Sequence, residues 1–211
     1  MIDEQCVQLQ EQAYLYQFLS RLFLAEPSMA LLTDLAGVSV PREDNDAIGC
    51  GLRRLGEAAR QNADRLAAWQ EELAIEYARL FIGPQAPPAV PYASFYLSET
   101  RTLMTDETIA VRKNYLEGGV VLKNLYQVPD DHIGIELEFI YHLIREAETA
   151  TQAGCLDEAE KFLKLRDKFI SDHFLFWVPI FVGKLREATQ EDFYRAASQL
   201  LLGVAHHAPC L

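Results

Sequence analysis

Positive charge is what this sequence has least of: Lys and Arg number 19 against 31 Asp and Glu, and the formal net charge is −12 over 211 residues. That balance excludes a nucleic-acid binder, which needs a basic face to release counterions from phosphates. It also excludes electrostatic attachment to an anionic bilayer. Long apolar runs are missing too. The most apolar stretch, Phe174 to Gly183, has about half the length of a membrane span and contains Pro179. The acidic opening MIDEQC runs straight into an amphipathic pattern and carries no secretory signal. Cys6, Cys50, Cys155 and Cys210 form no CxxC pair and have no histidine at metal-site spacing, so they read as free thiols of a reducing cytoplasm. HExxH, GxSxG, Walker and GxGxxG motifs are all lacking, as are Glu-x-x-His pairs and repeats at solenoid periods.

What the chain does contain is helical periodicity. Tyr14, Leu15, Phe18, Leu19, Leu22 and Phe23 share one face, and Glu26-Pro27 ends that helix. Leu66, Trp69, Leu73, Tyr77, Leu80 and Phe81 repeat the pattern up to Gly83-Pro84. Thr105 is placed to cap a helix through Leu116, closed by Gly118-Gly119. Asp131 is placed to cap a long helix to about Ala153, with Gly154 as its stop. Leu156 to Ile170, Phe174 to Leu185 around Pro179, and a segment capped by Thr189 complete the set. Gly119 to Val128 lacks clean alternation and reads as helix or irregular chain rather than strand. The expected class is all-α, with about seven or more helices.

Two features break the regularity. Four of the nine prolines fall within Pro84 to Pro91, so the loop at about 82–98 should be stiff and extended. It runs into Tyr92, Phe95, Tyr96 and Leu97, which suits it to line a groove or to pack against the core better than to link two helical halves. On the helix after Asp131, Ile133, Leu137, Ile140, Leu143, Ile144 and Ala147 share an apolar arc. Glu136 falls inside that arc and His132 at its edge. A carboxylate there needs a partner. Either Glu136 locks the helix to a neighbour, or Asp131, His132 and Glu136 present acceptors to a ligand. A small helical metal- or nucleotide-dependent hydrolase using those three residues is the competing enzyme reading.

Three ordered motifs resemble the TorD/DmsD family of redox-enzyme maturation chaperones. They are Glu76-Tyr77-Ala-Arg-Leu80-Phe81-Ile-Gly83-Pro84, then Pro91-Tyr92-Ala-Ser94-Phe-Tyr96-Leu97, then Pro129-Asp130-Asp131-His132-Ile133-Gly134. His173 to Phe181 is similar to the family's C-terminal helix pair, and the likeness covers nearly the whole chain. The resemblance implies a compact single-domain helical bundle over residues 1–211, cytoplasmic and without catalytic activity. It implies binding to the twin-arginine signal peptide, and to the body, of a molybdopterin oxidoreductase catalytic subunit of the dimethyl sulfoxide or trimethylamine N-oxide reductase type. The client would be held from export until its cofactor is inserted. By motif position the peptide surface would use Tyr77, Leu80, Phe81, Pro91, Tyr92, Tyr96, Asp131 and His132, with Glu136 adjacent. Members are described as monomers or domain-swapped dimers, and some as binding guanine nucleotide, although no phosphate loop occurs in this sequence. Tyrosine stands at Tyr92 and Tyr96, where the dimethyl sulfoxide reductase branch commonly has tryptophan. Asp131 and Glu136 would supply carboxylates to the peptide's arginines.

Overall fold

A computed structural model of the chain describes residues 2–38, 46–121 and 129–206. The expectations for most of Gly119 to Val128, and for His207 and Cys210, lie outside the described residues. The order is α1 (Ile2–Leu24), α2 (Met29–Ala36), α3 (Ala47–Gln61), α4 (Leu66–Tyr77), α5 (Ala93–Leu97), α6 (Asp106–Glu117), α7 (Ile133–Gln152), α8 (Leu156–Phe169), α9 (Leu175–Ala188) and α10 (Asp192–His206). Among the described residues there is no strand, only one antiparallel bridge between Tyr92 and His132, so the fold is all-α. No described helix is long and apolar enough to cross a membrane.

These helices sort into two compact units. Among the described residues, the first gathers those of 2–24 and 92–177, and the second those of 25–91 and 178–206. In the first unit α7 packs against α1 and α8. Its predicted apolar arc is fully enclosed: Ile133, Leu137, Ile140, Leu143, Ile144 and Ala147 have no exposed surface. Ser20 of α1 donates to the Gly134 carbonyl at 2.9 Å, fixing the start of α7. Arg166 of α8 is buried, reaching Asp167 at 2.7 Å and Gln12 at 3.1 Å.

In the second unit α3 packs on α10, and α2 on α3 and α4. Trp69, Leu73, Tyr77, Leu80, Phe81, Phe181, Phe193 and Tyr194 are buried together, and the Tyr194 hydroxyl donates to the Leu73 carbonyl at 2.8 Å. The Glu76–Arg79 pair, at 2.7 Å, anchors α4: Arg79 also donates to the Ala188 carbonyl, and Glu76 accepts from Thr189.

Four local expectations are corrected. The helix through Trp69 does not stay α to Phe81; Ala78–Ile82 widens into a π-turn, which a 3.6-residue period does not reveal. It stops at Gly83, whose φ of 74° and 2.0 Å approach of an added Cβ to the Gln85 carbonyl admit only glycine. The proline loop then folds back, with Ala89 N–H donating to the Leu80 carbonyl at 3.2 Å. Second, the loop is not extended throughout, because Ala93–Leu97 makes a short helix beyond the last proline. Third, Thr105 stands at the start of α6, but its hydroxyl goes to Glu107 and not to a backbone N–H. Fourth, α7 is capped by His132 and not by Asp131: the His132 Nδ1 accepts from Gly134 N–H at 3.1 Å.

Candidate functional site

The first unit brings Tyr92, Tyr96, Asp131, His132 and Glu136 into one neighbourhood. The remaining expected residues, Tyr77, Leu80, Phe81 and Pro91, belong to the second unit. There Tyr77, Leu80 and Phe81 are only 7%, 0% and 6% exposed, and Pro91 is buried. Phe81 rings lie 5.0 Å from Tyr77 and 5.9 Å from Tyr194, as core aromatics do.

The neighbourhood is an aromatic turn resting on a buried polar layer. Tyr92, Phe95, Tyr96 and Leu97 are each half-buried. Phe95 and Tyr96 meet edge to face at 5.2 Å, and Tyr96 stacks on Trp177 at 5.8 Å and 21°. Tyr92 meets the His132 ring edge to face at 5.0 Å, beside the backbone bridge of the same two residues.

Beneath the turn, Asp131 has no exposed surface. Its backbone carbonyl accepts from Ala93 N–H at 3.0 Å and its Oδ2 from Ser94 N–H at 2.7 Å. Its Oδ1 accepts from the Thr108 hydroxyl at 3.0 Å, which ties in α6. The neighbouring Asp130 pairs with Arg112, and its carbonyl accepts from the Tyr115 hydroxyl at 2.7 Å.

Glu136 is likewise enclosed on α7. Its Oε1 lies 2.7 Å from His173 Nε2, and its Oε2 accepts from the Trp177 indole N–H at 3.1 Å. Burial pulls the His173 pKa down, but the charge and hydrogen bond of Glu136, with Asp131 behind, hold it above the ordinary histidine value. His173 lies in the π-turn Ile170–Phe174, one helical turn before Trp177.

Three carriers of this layer escape a local reading of the sequence: Ser94 and Thr108, which answer Asp131, and His173, which answers Glu136. A signal for the last was present, since His173 and Trp177 sit four residues apart with donors on one helical face. Nothing local points from Asp131 to Thr108, 23 residues earlier.

His132 behaves differently from His173. Burial, opposed by Asp131, lowers its pKa from 6.5 to about 4, and its cap bond to Gly134 requires an unprotonated Nδ1. The folded state therefore binds fewer protons than the unfolded chain between those values. Stability from this group is complete above pH 6.5 and is lost as pH falls toward 4. The loss is on the order of 3 kcal/mol at most. Urea midpoints of wild type and His132→Asn, compared from pH 7 to 4.5, check this: asparagine keeps a capping acceptor and should flatten the acid-side fall.

The polar atoms of Asp131, His132 and Glu136 turn to three different partner sets, so they do not converge on one ion. Among the described residues no group of three or more His, Cys, Asp or Glu is placed to hold a metal.

Known proteins share this architecture and sequence. The family described as nitrate reductase delta subunit matches residues 42–183. The chain is 28% identical over 202 residues to the chaperone protein TorD of Vibrio parahaemolyticus, covering 92% of this chain and 90% of that one. It is 29% identical over 212 residues to the TorD of a Vibrio cholerae O1 strain, covering 96% and 92%. A crystal structure from Archaeoglobus fulgidus, assigned to redox enzyme maturation, superposes with a TM-score of 0.53 at 19% identity, covering 90% of this chain and 91% of that one. That last likeness is one of fold.

Proposed function

This chain belongs to the nitrate reductase delta subunit family, and from that footing we propose that it is a cytoplasmic maturation chaperone for a molybdopterin oxidoreductase. In this reading it binds the twin-arginine signal peptide of the client and holds it from export until the cofactor is in place. The observation that carries the reading is the aromatic turn: Tyr92, Phe95 and Tyr96 are partly exposed and rest on a buried hydrogen-bonded layer.

Such a turn suits both halves of a twin-arginine leader. Its apolar stretch loses water against the rings, and a guanidinium stacks on a tyrosine face, where arginine outperforms lysine. The net charge of −12 raises the encounter rate with a basic peptide, more so at low salt.

Titration with leader peptides from the molybdoenzymes of the same cell tests the proposal. At least one should bind with a Kd below about 100 μM, equivalent to roughly −5.5 kcal/mol. The same peptide with both arginines replaced by lysine should bind more weakly. No saturable binding by any of these leaders at that concentration overturns the reading.

A further inference from the structure

We propose that Asp131 is the positioning residue of the aromatic turn: it caps α5 from a distant segment of the chain and so sets Tyr92, Phe95 and Tyr96, and its charge does not meet the ligand. The proposal rests on the reading of that turn as peptide-binding.

A helix as short as Ala93–Leu97 has no stability of its own, because nucleation costs more than one turn of hydrogen bonds returns. Its first N–H groups have no intrahelical acceptors. Tyr92, at the cap position, supplies no side-chain acceptor. Asp131 supplies acceptors for the first two: its carbonyl takes Ala93 N–H at 3.0 Å and its Oδ2 takes Ser94 N–H at 2.7 Å. The other oxygen takes the Thr108 hydroxyl, so one side chain joins α5 to α6 just where His132 bridges Tyr92.

The same geometry argues against a direct ionic contact. Asp131 is wholly enclosed, and a guanidinium reaching it would have to open the turn and crowd the Ser94 N–H and Thr108 hydroxyl bonds to its two oxygens. Opening the turn leaves those buried donors without their acceptor. The grip also explains why an acid is used beside a residue whose own side chain already caps α7. Asp131 serves a helix 37 residues earlier in the chain, and His132 serves the one that follows.

Three full-length variants decide the matter, each read by affinity for a twin-arginine peptide and by amide hydrogen exchange at Ala93 and Ser94, with melting curves to confirm folding. Asp131→Ala removes the acceptor of Ser94 N–H but keeps the main-chain carbonyl that takes Ala93 N–H, so it should speed exchange most at Ser94, with Ala93 following as the turn loosens, and weaken the peptide by roughly tenfold or more. Asp131→Asn keeps an acceptor oxygen for Ser94 N–H while losing the charge, and should restore most of both. Thr108→Val, which changes no charge, should move both readouts part of the way toward Asp131→Ala.

If Asp131→Asn loses as much affinity as Asp131→Ala while its amides stay protected, the charge meets the ligand and the proposal is overturned. Protected amides and intact affinity in Asp131→Ala overturn it equally. Should Asp131→Ala fail to fold, Asp131→Asn and Thr108→Val carry the same comparison. If the wild-type protein binds no twin-arginine peptide, the functional reading falls. Exchange at Ala93 and Ser94 still decides whether Asp131 holds the turn.

Discussion

Replacing Glu136 with alanine is expected to destabilise the protein by roughly 3–5 kcal/mol, the scale for removing one partner of a buried charge pair. The carboxylate has no exposed surface, and each oxygen is committed, Oε1 to His173 at 2.7 Å and Oε2 to Trp177 at 3.1 Å. Truncation leaves the His173 ring and the Trp177 indole N–H without their acceptor, and opens a void among the apolar arc of α7. At about 2–4 °C per kcal/mol for a chain of this size, the melting temperature should fall by roughly 10 °C. Glu136→Gln retains one acceptor and should cost clearly less. Because Trp177 stacks on Tyr96, peptide affinity should fall along with stability.

The same pair has a pH signature. His173 holds its proton more tightly in the folded state than its ordinary value of 6.5. In the window above that value the folded protein binds more protons than the unfolded chain, so stability falls as pH rises. This contribution is complete below pH 6.5 and is lost through the folded pKa of His173. In Glu136→Ala the alkaline fall should vanish. A variant melting within about 2 °C of wild type, with the same alkaline slope, would show that the pair does not hold α7 to the His173 turn.

How much of this was legible in sequence follows from the range over which each signal acts. The α7 arc was, because a 3.6-residue period is local, and all six of its expected residues are enclosed. The anomaly of Glu136 was legible for the same reason, but its partners were not. His173 and Trp177 lie 37 and 41 residues away, within a stretch that reads simply as apolar. Asp131 was mistaken for the cap of α7 because aspartate is a common cap and local reasoning assigns it to the nearest helix; its acceptors serve α5 and α6 instead. The helix at Ala93–Leu97 was missed because the proline signal was extended past Pro91, its last proline. The site expected as one surface also mixed two kinds of aromatic. Tyr77 and Phe81 lie on a buried helical face, while Tyr92 and Tyr96 remain half open. Periodicity alone does not separate these.

Gly51→Leu should cost the second unit more than the roughly 1–3 kcal/mol usual for overpacking. A Cβ at Gly51 would lie 2.8 Å from the Leu200 Cβ and 2.9 Å from the Leu200 Cα and N. Those backbone atoms belong to α10 and cannot turn aside as a side chain can. The contact is pinned a second time, where a Cβ at Gly203 would come within 2.9 Å of the Ala47 Cβ. Glycine costs a helix about 1 kcal/mol relative to alanine, so its presence within α3 and α10 is offset by the close approach it permits. Two comparisons make the argument decisive. Leu200→Ala should not rescue Gly51→Ala, because the obstruction includes the main chain. Gly183→Ala on α9, where an added Cβ meets nothing within 4 Å, should change stability in the opposite direction, by about +0.5 to +1 kcal/mol. Denaturation midpoints that move the same way for Gly51→Ala and Gly183→Ala would show that helix propensity, and not the approach of α3 to α10, governs Gly51.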